Sequence, residues 1–253
     1  MIINMNNGSK ELISVIIPTY NMRRPLIRCF DALSRQTRLP DEVIVVDDGS
    51  IDGTQEAVHA ETAARDLPLR SITQNHAGAS VARNRGFAAS QGQYVMFLDA
   101  DVVLKKHAIE RFYETLTQTS KLKPQNSGIG FAYSSFRWGW KKFSSFPFDE
   151  ERLHRMPYIH TTSLVRRAAL PDVPFDERLK RLQDWDLYLT LLERGYIGTY
   201  IPEILFTVET QGTMSKWLPS ILYQIPFEKF GLTMERMEKY RQAEDIIKKK
   251  HNL

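Results

Sequence analysis

The first part of the chain alternates short continuous apolar runs with stretches of helical spacing. Residues 12–18 (LISVIIP), 42–46 (EVIVV) and 94–98 (YVMFL) are apolar blocks, the first two rich in β-branched residues, each closed by proline, turn or acidic residues. They predict strands buried on both faces. Residues 69–74 predict a weaker strand of the same kind. Between them, Leu26, Ile27, Phe30 and Leu33 recur at helical intervals over 25–36, Thr54 can start a helix running to about residue 65, and 79–90 is a small-residue helix ended by Gly92. Strand, helix, strand, helix with unbroken apolar strands is the pattern of a mainly parallel sheet covered on both sides, an α/β fold.

The second half is less regular. Residues 128–136 and 159–165 predict strands, 138–142 (WGWKK) an aromatic and basic turn, and 122–127 a polar loop. Trp185, Leu187, Tyr188, Leu191 and Leu192 give 184–194 a helical face that stops at Gly195. Residues 196–208 are extended and interrupted by Pro202, and 234–250 is a charged helix ending in three lysines. Neither a repeat nor a sharp linker divides the chain. The expectation is one domain, with a half at about 12–104, a second at about 105–215 and a tail at about 216–253.

Composition narrows the class. Of 253 residues, 42% are hydrophobic and 25% charged, which is ordinary for a globular protein and argues against disorder. A net charge of +4 and a pI near 9.1 suit anionic partners, or reflect a scattered surface excess of Lys and Arg. The single cysteine, Cys29, excludes an internal disulfide framework and a cysteine zinc cluster, and its place in a predicted helix suits a buried apolar role and a reducing cytoplasm. No stretch approaches the ~20 apolar residues of a membrane span. Residues 1–10, Asn-rich and without an apolar core, predict a frayed leader and no signal peptide.

Polar clusters follow three predicted strands: Thr19-Tyr20-Asn21, Asp47-Asp48-Gly49-Ser50 and Asp99-Ala100-Asp101. Ligands of open α/β sheets lie beyond the carboxyl ends of strands, so these clusters can share one crevice. Asp99 and Asp101, two apart, are expected to point the same way by strand alternation. Paired carboxylates repel, and a divalent cation with oxygen ligands resolves the repulsion while gripping a diphosphate leaving group. Asp47-Asp48-Gly49-Ser50 fits a helix cap and tight turn as well as hydrogen bonding to a base or ribose. Asp184, opening a helix, fits a dipole-complementing cap as well as a general base.

Taken together, Val15-Ile16-Ile17-Pro18-Thr19-Tyr20-Asn21, Val45-Val46-Asp47-Asp48-Gly49-Ser50-Ile51-Asp52-Gly53-Thr54, Ala82-Arg83-Asn84-Arg85-Gly86, Gly92-Gln93-Tyr94 and Phe97-Leu98-Asp99-Ala100-Asp101 closely resemble the family 2 glycosyltransferases. The resemblance runs over about 12–104 and resumes at Phe175-Asp176-Glu177 and Gln183-Asp184-Trp185-Asp186-Leu187. It implies the GT-A fold, a Rossmann-like, mainly parallel mixed sheet flanked by helices with a less regular acceptor-side half. It also implies an inverting, metal-dependent enzyme that takes a sugar from a nucleotide-diphosphate donor, UDP-linked in the first instance, to a glycan or lipid-linked acceptor. Nucleic acid is not an implied partner. Carried over by residue, Pro18, Thr19 and Tyr20 line the nucleotide pocket, with Tyr20 placed to stack on the base. Asp48 accepts the base imide N–H and Asp47 supports the loop. Arg83 lies near the diphosphate. Asp99 and Ala100 lie at the nucleotide, Asp99 touching ribose or metal, Asp101 binds Mn²⁺ or Mg²⁺, and Asp184 is the catalytic base.

Two positions depart from the family pattern. Gln183 stands where a Glu usually precedes the base, and Glu209 where many relatives carry a metal- or diphosphate-binding His; Glu209 either ligates metal or that contact is missing. Trp138 and His160 are candidates for the acceptor side, with core packing the alternative for each. Residues 217–230 (WLPSILYQIPFEKF) suit core packing, an oligomer contact or a peripheral membrane contact at the inner face. Two rival functions share some of these residues. A haloacid-dehalogenase-like phosphatase would use Asp99 as nucleophile but leaves Asp47-Asp48-Gly49-Ser50 unexplained, and a non-catalytic nucleotide-sugar binder would not need Asp184. A dinucleotide oxidoreductase lacks its Gly-x-Gly-x-x-Gly after the first strand.

Overall fold

The computed structural model describes residues 11–122, 128–209 and 235–253. The apolar runs form β1 (Ile13–Thr19), β2 (Glu42–Asp47), β3 (Leu69–Thr73) and β4 (Tyr94–Phe97), linked by α1 (Arg23–Ser34), α2 (Thr54–Ala64) and α3 (Ala79–Ala89). All four strands are parallel, with Thr19 opposite Asp47 and Asp47 opposite Thr73. The polar clusters therefore leave the sheet side by side at its carboxyl edge.

The second half continues the same sheet. After β5 (Val102–Leu104) come α4 (Ala108–Leu122), β6 (Ile129–Trp138), β7 (Lys141–Phe143), α5 (Glu150–Arg155), β8 (Leu164–Arg166), α6 (Gln183–Glu193) and β9 (Ile197–Val208); α7 (Glu235–His251) is the last described helix. The strand order is β3-β2-β1-β4-β8-β6-β9-β5, with β7 paired to β6. β8 runs antiparallel between β4 and β6, and β5 antiparallel on β9, so the sheet is mixed but mainly parallel.

Strand alternation sorts the core. Ile13, Val15, Ile17 and Met96 face α1 and α4, where Phe30, Ile109, Phe112 and Leu116 meet them; Cys29 lies in this layer, buried. Ile16, Val95 and Phe97 face the opposite layer with Phe87 of α3, Trp185 and Leu189 of α6 and Ile247 of α7.

The second half differs from expectation in several places. Helix α4 and the short α5 and β5 were not anticipated. The 159–165 strand is confined to Leu164–Arg166, because His160, Thr162 and Ser163 bond elsewhere: Thr162 N–H donates to His160 Nδ1 at 3.0 Å, and Ser163 Oγ pairs with Tyr188 OH at 2.6 Å. The predicted 138–142 turn shrinks to Gly139 and Trp140, with Trp138 and Lys141 paired as strand residues. Residues 1–10, 210–215 and 217–230, including the segment considered for membrane or oligomer contact, lie outside the described residues. Among the described residues no helix is long and apolar enough to cross a membrane.

Gly86 sets how closely α3, which carries Arg83, approaches the sheet. A Cβ there would overlap Ile16 Cγ2 and lie 3.1 Å from Val46 Cγ2. Gly86→Ala is expected to destabilise the fold by about 1 to 3 kcal/mol through overpacking, measured as a lowered midpoint of urea unfolding with unchanged slope.

Candidate active site

The site is built on four junctions: β1 to α1, β2 to α2, β4 to β5, and the entry to α6. At the first two, Asn21 in the left-handed region (φ 52°) accepts Ile51 N–H on Oδ1 at 2.9 Å and donates its own N–H to Ser50 Oγ at 2.9 Å, which locks the β1 and β2 turns together. Gly49 (φ 82°) takes a conformation that a side chain would strain, and a Cβ there would lie 3.2 Å from His76 N.

Asp47 and Asp48, both buried, have different surroundings. Asp48 Oδ1 accepts from Gln74 Nε2 at 2.7 Å and Ala77 N at 2.8 Å; Oδ2 accepts from Gly78 N at 2.8 Å and pairs with His76 Nδ1 at 2.9 Å. Four donors fill the lone pairs a carboxylate offers. Burial opposes the charge, yet these hydrogen bonds outweigh it and hold the Asp48 carboxyl below the ordinary range. Asp48 thus pins the 74–78 loop. Among the described residues Asp47 accepts only Ser50 N–H on its side chain, at 3.0 Å. Beside it, Thr19 Oγ1 and Gln74 Oε1 are buried without a hydrogen-bond partner among the described residues. Tyr20, 43% exposed, stacks on the His76 ring at 4.1 Å between centroids.

At the third junction Asp99-Ala100-Asp101 is a tight turn, closed by Val102 N–H donating to Asp99 O at 3.0 Å. The expected strand alternation therefore does not govern the two acids; the turn does. Arg83, buried on α3, donates from Nη2 to Asp99 Oδ1 at 2.6 Å and from Nη1 to Gln183 Oε1 at 2.7 Å, leaving its Nε buried and unpaired. Burial works against the Asp99 charge, but Arg83 and to a lesser degree His160 prevail and lower its pKa. Among the described residues Asp101 has no such ion-pair partner. Burial, then the neighbouring Asp99 charge and Glu209, push it up to about 7.

The fourth junction is the start of α6. Leu182 enters it in the left-handed region (φ 58°), rare for a side-chain-bearing residue, without a side-chain cap. Asp184, half-buried in the first turn, accepts Trp185 N–H at 2.9 Å. Burial pushes its pKa up to about 6 against the opposing pull of that hydrogen bond and Arg83, and Asp99 adds to the rise. His160, buried between the rings of Phe136 and Phe206, is pushed down to about 4 by burial, while the Asp99 charge pulls it back. Arg83, Asp99, Asp101, Asp184 and His160 thus form one electrostatic neighbourhood, with Pro18, Thr19, Tyr20, Asp47 and Asp48 on the adjoining edge.

The remaining expected residues stand at the margin. Glu209 N–H donates to Asp101 O at 2.8 Å, but its carboxylate is held by Arg28 of α1, with Arg28 Nε to Oε1 at 2.7 Å. Trp138 is partly buried against the core; the exposed aromatic of that hairpin is Trp140, 88% accessible. Gln74, His76 and Arg28 were not singled out from the sequence, because no motif marks them and only the fold brings them to Asp48 and Glu209.

Residues 14–173 match the sequence profile of Glycosyl transferase family 2. The chain belongs to this family. Glycosyltransferase GlyG of Streptococcus pneumoniae serotype 4 is 36% identical over 109 residues, which is 43% of this chain and 36% of that protein. The chain spans about a third of the length of such curated relatives. The 1–349 fragment of S. aureus TarS in complex with UDP-GlcNAc superposes with a TM-score of 0.62 at 20% identity, covering 92% of this chain and 70% of that one. Glucosyl-3-phosphoglycerate synthase from Mycobacterium tuberculosis, in complex with Mn²⁺, UDP and glucosyl-3-phosphoglycerate, gives 0.59 at 18% identity, covering 97% and 82%. The fold is that of the GT-A glycosyltransferases. Within it Asp99 is paired to the Arg83 guanidinium, which disfavours the phosphatase reading, since a carboxylate paired to guanidinium is a poor nucleophile.

A divalent ion suits the donor chemistry here. Hard carboxylate oxygens match Mg²⁺ or Mn²⁺, and burial beside Asp99 and Glu209 makes the Asp101 anion costly unless a cation joins it. Among the described residues no three His, Cys, Asp or Glu side chains group to hold an ion by themselves. Protein ligation would therefore rest on Asp101, with Asp99 beside it, and the remaining ligands would be phosphate oxygens and water.

Asp48 supplies a separate test of the loop frame. Because its folded pKa is lowered, its stabilisation is present above the unfolded value and lost as pH falls through the folded one. Asp48→Asn is expected to cost about 2 to 3 kcal/mol at neutral pH, and thermal melts of wild type and variant should converge in acid.

Proposed function

We propose that this protein is an inverting glycosyltransferase that moves a sugar from a nucleotide-diphosphate donor, UDP-linked in the first instance, to an acceptor hydroxyl in the assembly of a cell-surface polysaccharide or glycolipid. The observation that carries the reading is the Arg83 bridge. One guanidinium joins the acidic turn after β4 to the first turn of α6, which holds Asp184 and the two acids of that turn in one neighbourhood. The UDP-GlcNAc bound by TarS and the Mn²⁺ and UDP bound by the mycobacterial synthase support the donor class and the metal.

The chemistry follows from the residues. Asp184, raised by burial and still ionised at neutral pH, takes the proton of the acceptor hydroxyl. The hydroxyl oxygen attacks the anomeric carbon on the face opposite the nucleotide, and configuration inverts without a covalent enzyme intermediate, the opposite-face arrangement of inverting glycosidases. Arg83 lies at the diphosphate side and meets its growing negative charge. A divalent ion at Asp101, when bound, neutralises charge on the leaving nucleoside diphosphate. Because the four donors at Asp48 saturate it, the base is read over a rigid frame by Asp47, Thr19 and Gln74, whose polar atoms remain available, with Tyr20 covering the ring. Acceptor-side contacts fall to His160 and to the β6–β7 hairpin carrying Trp138 and Trp140. Glu209 acts through Arg28 and its backbone link to Asp101.

Thermal-shift titration of nucleotide sugars with and without Mn²⁺ tests the donor class: stabilisation by a UDP-sugar that depends on Mn²⁺ and disappears in Asp101→Ala is expected. Asp184→Asn is expected to lower transfer about 10²- to 10⁴-fold while nucleotide binding is retained. The wild-type kcat should rise with pH through about 6 as Asp184 deprotonates. Normal turnover by Asp184→Asn would sink the base assignment, and tight UDP binding with no transfer by either protein would favour the non-catalytic binder.

A further inference from the structure

Helix α7 is docked on α6 by a buried ionic cluster that the proposed chemistry does not use. Asp186, 1% exposed, accepts two hydrogen bonds from Lys250 Nζ, at 2.7 and 2.8 Å, and contacts His251 Nε2 at 2.9 Å. His251 Nδ1 in turn lies 2.7 Å from Glu193 Oε1, near the end of α6. Ala243 and Ile247 of α7 add apolar contact against the layer containing Trp185 and Leu189.

These contacts surround Asp184 in sequence. Gln183 is tied to Arg83, the Trp185 indole N–H donates to Leu153 O of α5 at 2.6 Å, and Asp186 is held by α7. Three neighbouring side chains thus anchor the first turn of α6 to three different helices. That turn starts from a left-handed Leu182 without a cap, so local sequence alone gives it little to fix its position. An apolar face would hold α7 to α6 just as well, since buried ion pairs rarely add net stability over packed hydrophobic residues. What an ionic cluster adds is a single permitted register, because a slip of either helix leaves a buried carboxylate unpaired.

We infer that Lys250 and His251 are positioning residues, which hold Asp186 so that Asp184 stands at the reacting distance beside Arg83. The inference rests on Asp184 being the base. It makes α7 a part of the catalytic apparatus.

The test uses the full chain and four variants: Lys250→Met, Lys250→Met/His251→Leu, Lys250→Arg and Asp184→Asn. Misplacement of a reacting group by about 1 Å costs up to about a hundredfold in rate. The double variant should therefore lose about ten- to a hundredfold in kcat, with donor KM and Mn²⁺-dependent UDP binding unchanged, and Lys250→Arg should restore most of the rate. Should the double variant fail to fold, Lys250→Met alone decides, because His251 still partners Asp186; a severalfold fall in kcat at unchanged UDP affinity is expected. In the Asp184→Asn background Lys250→Met should have no further effect on the residual rate. Wild-type kcat in folded clamp variants, or an equal fold-loss with and without Asp184, would overturn the proposal. Normal turnover by Asp184→Asn would instead overturn the base assignment, which keeps the two failures apart.

Discussion

A single buried guanidinium organises this molecule. Arg83 reaches from α3 to the acidic turn after β4 with one nitrogen and to the head of α6 with another. Segments a hundred residues apart are thereby held in one arrangement, and the cost of burying the cation is offset by a carboxylate and an amide. The neutral Gln183 is well suited to this. A carboxylate in its place would give Arg83 two anionic hydrogen-bond partners and add negative charge next to Asp184, whereas the amide accepts the bond and leaves the ion pair to Asp99. The departure from the family pattern at 183 is thus consistent with a tuned charge balance around the bridge.

The same economy explains why the two adjacent aspartates after β2 divide their work. Asp48 spends every lone pair on the 74–78 loop, including Gly78 N–H at the entry to α3. The loop therefore fixes where α3 begins, and the Gly86 contact with Ile16 and Val46 fixes how deep it lies. Arg83 sits between these two constraints, so its reach is set before any ligand arrives. Asp47, with one hydrogen bond from Ser50, keeps its remaining capacity at the open edge of the sheet.

How much of this the sequence disclosed depended on whether the signal was local. The parallel strands were legible because continuous apolar runs such as VIIP and VIVV have few other uses, and the acids after them mark the crevice by a general rule of open sheets. Helix α4 escaped notice although Ile109, Phe112 and Leu116 keep helical spacing, because threonine, serine and glutamine dilute the pattern. The 159–165 stretch looked like a strand from its β-branched residues, but Thr162 N–H donates to the His160 imidazole and Ser163 Oγ and His160 O bond to Tyr188 OH, which takes the backbone out of the ladder. Gln74, His76, Arg28 and the Asp186 cluster have no sequence signature at all, since each matters only through a partner far away in the chain. The pairing of Asp99 with Asp101 was anticipated, but for a reason that does not apply: a hydrogen-bonded turn, not strand pleat, sets their directions.

His160 carries one more consequence. Burial keeps its ring uncharged across the physiological range, and the backbone N–H of Thr162 already donates to Nδ1. A neutral imidazole has one proton, so it must reside on Nε2. This tautomer is a donor only at its open end. It can bind the lone pair of a hydroxyl and orient it, but it has no site from which to remove that hydroxyl's proton. A peptide bond two residues away thus disqualifies the one histidine of this neighbourhood as a base, and proton removal is left to a carboxylate.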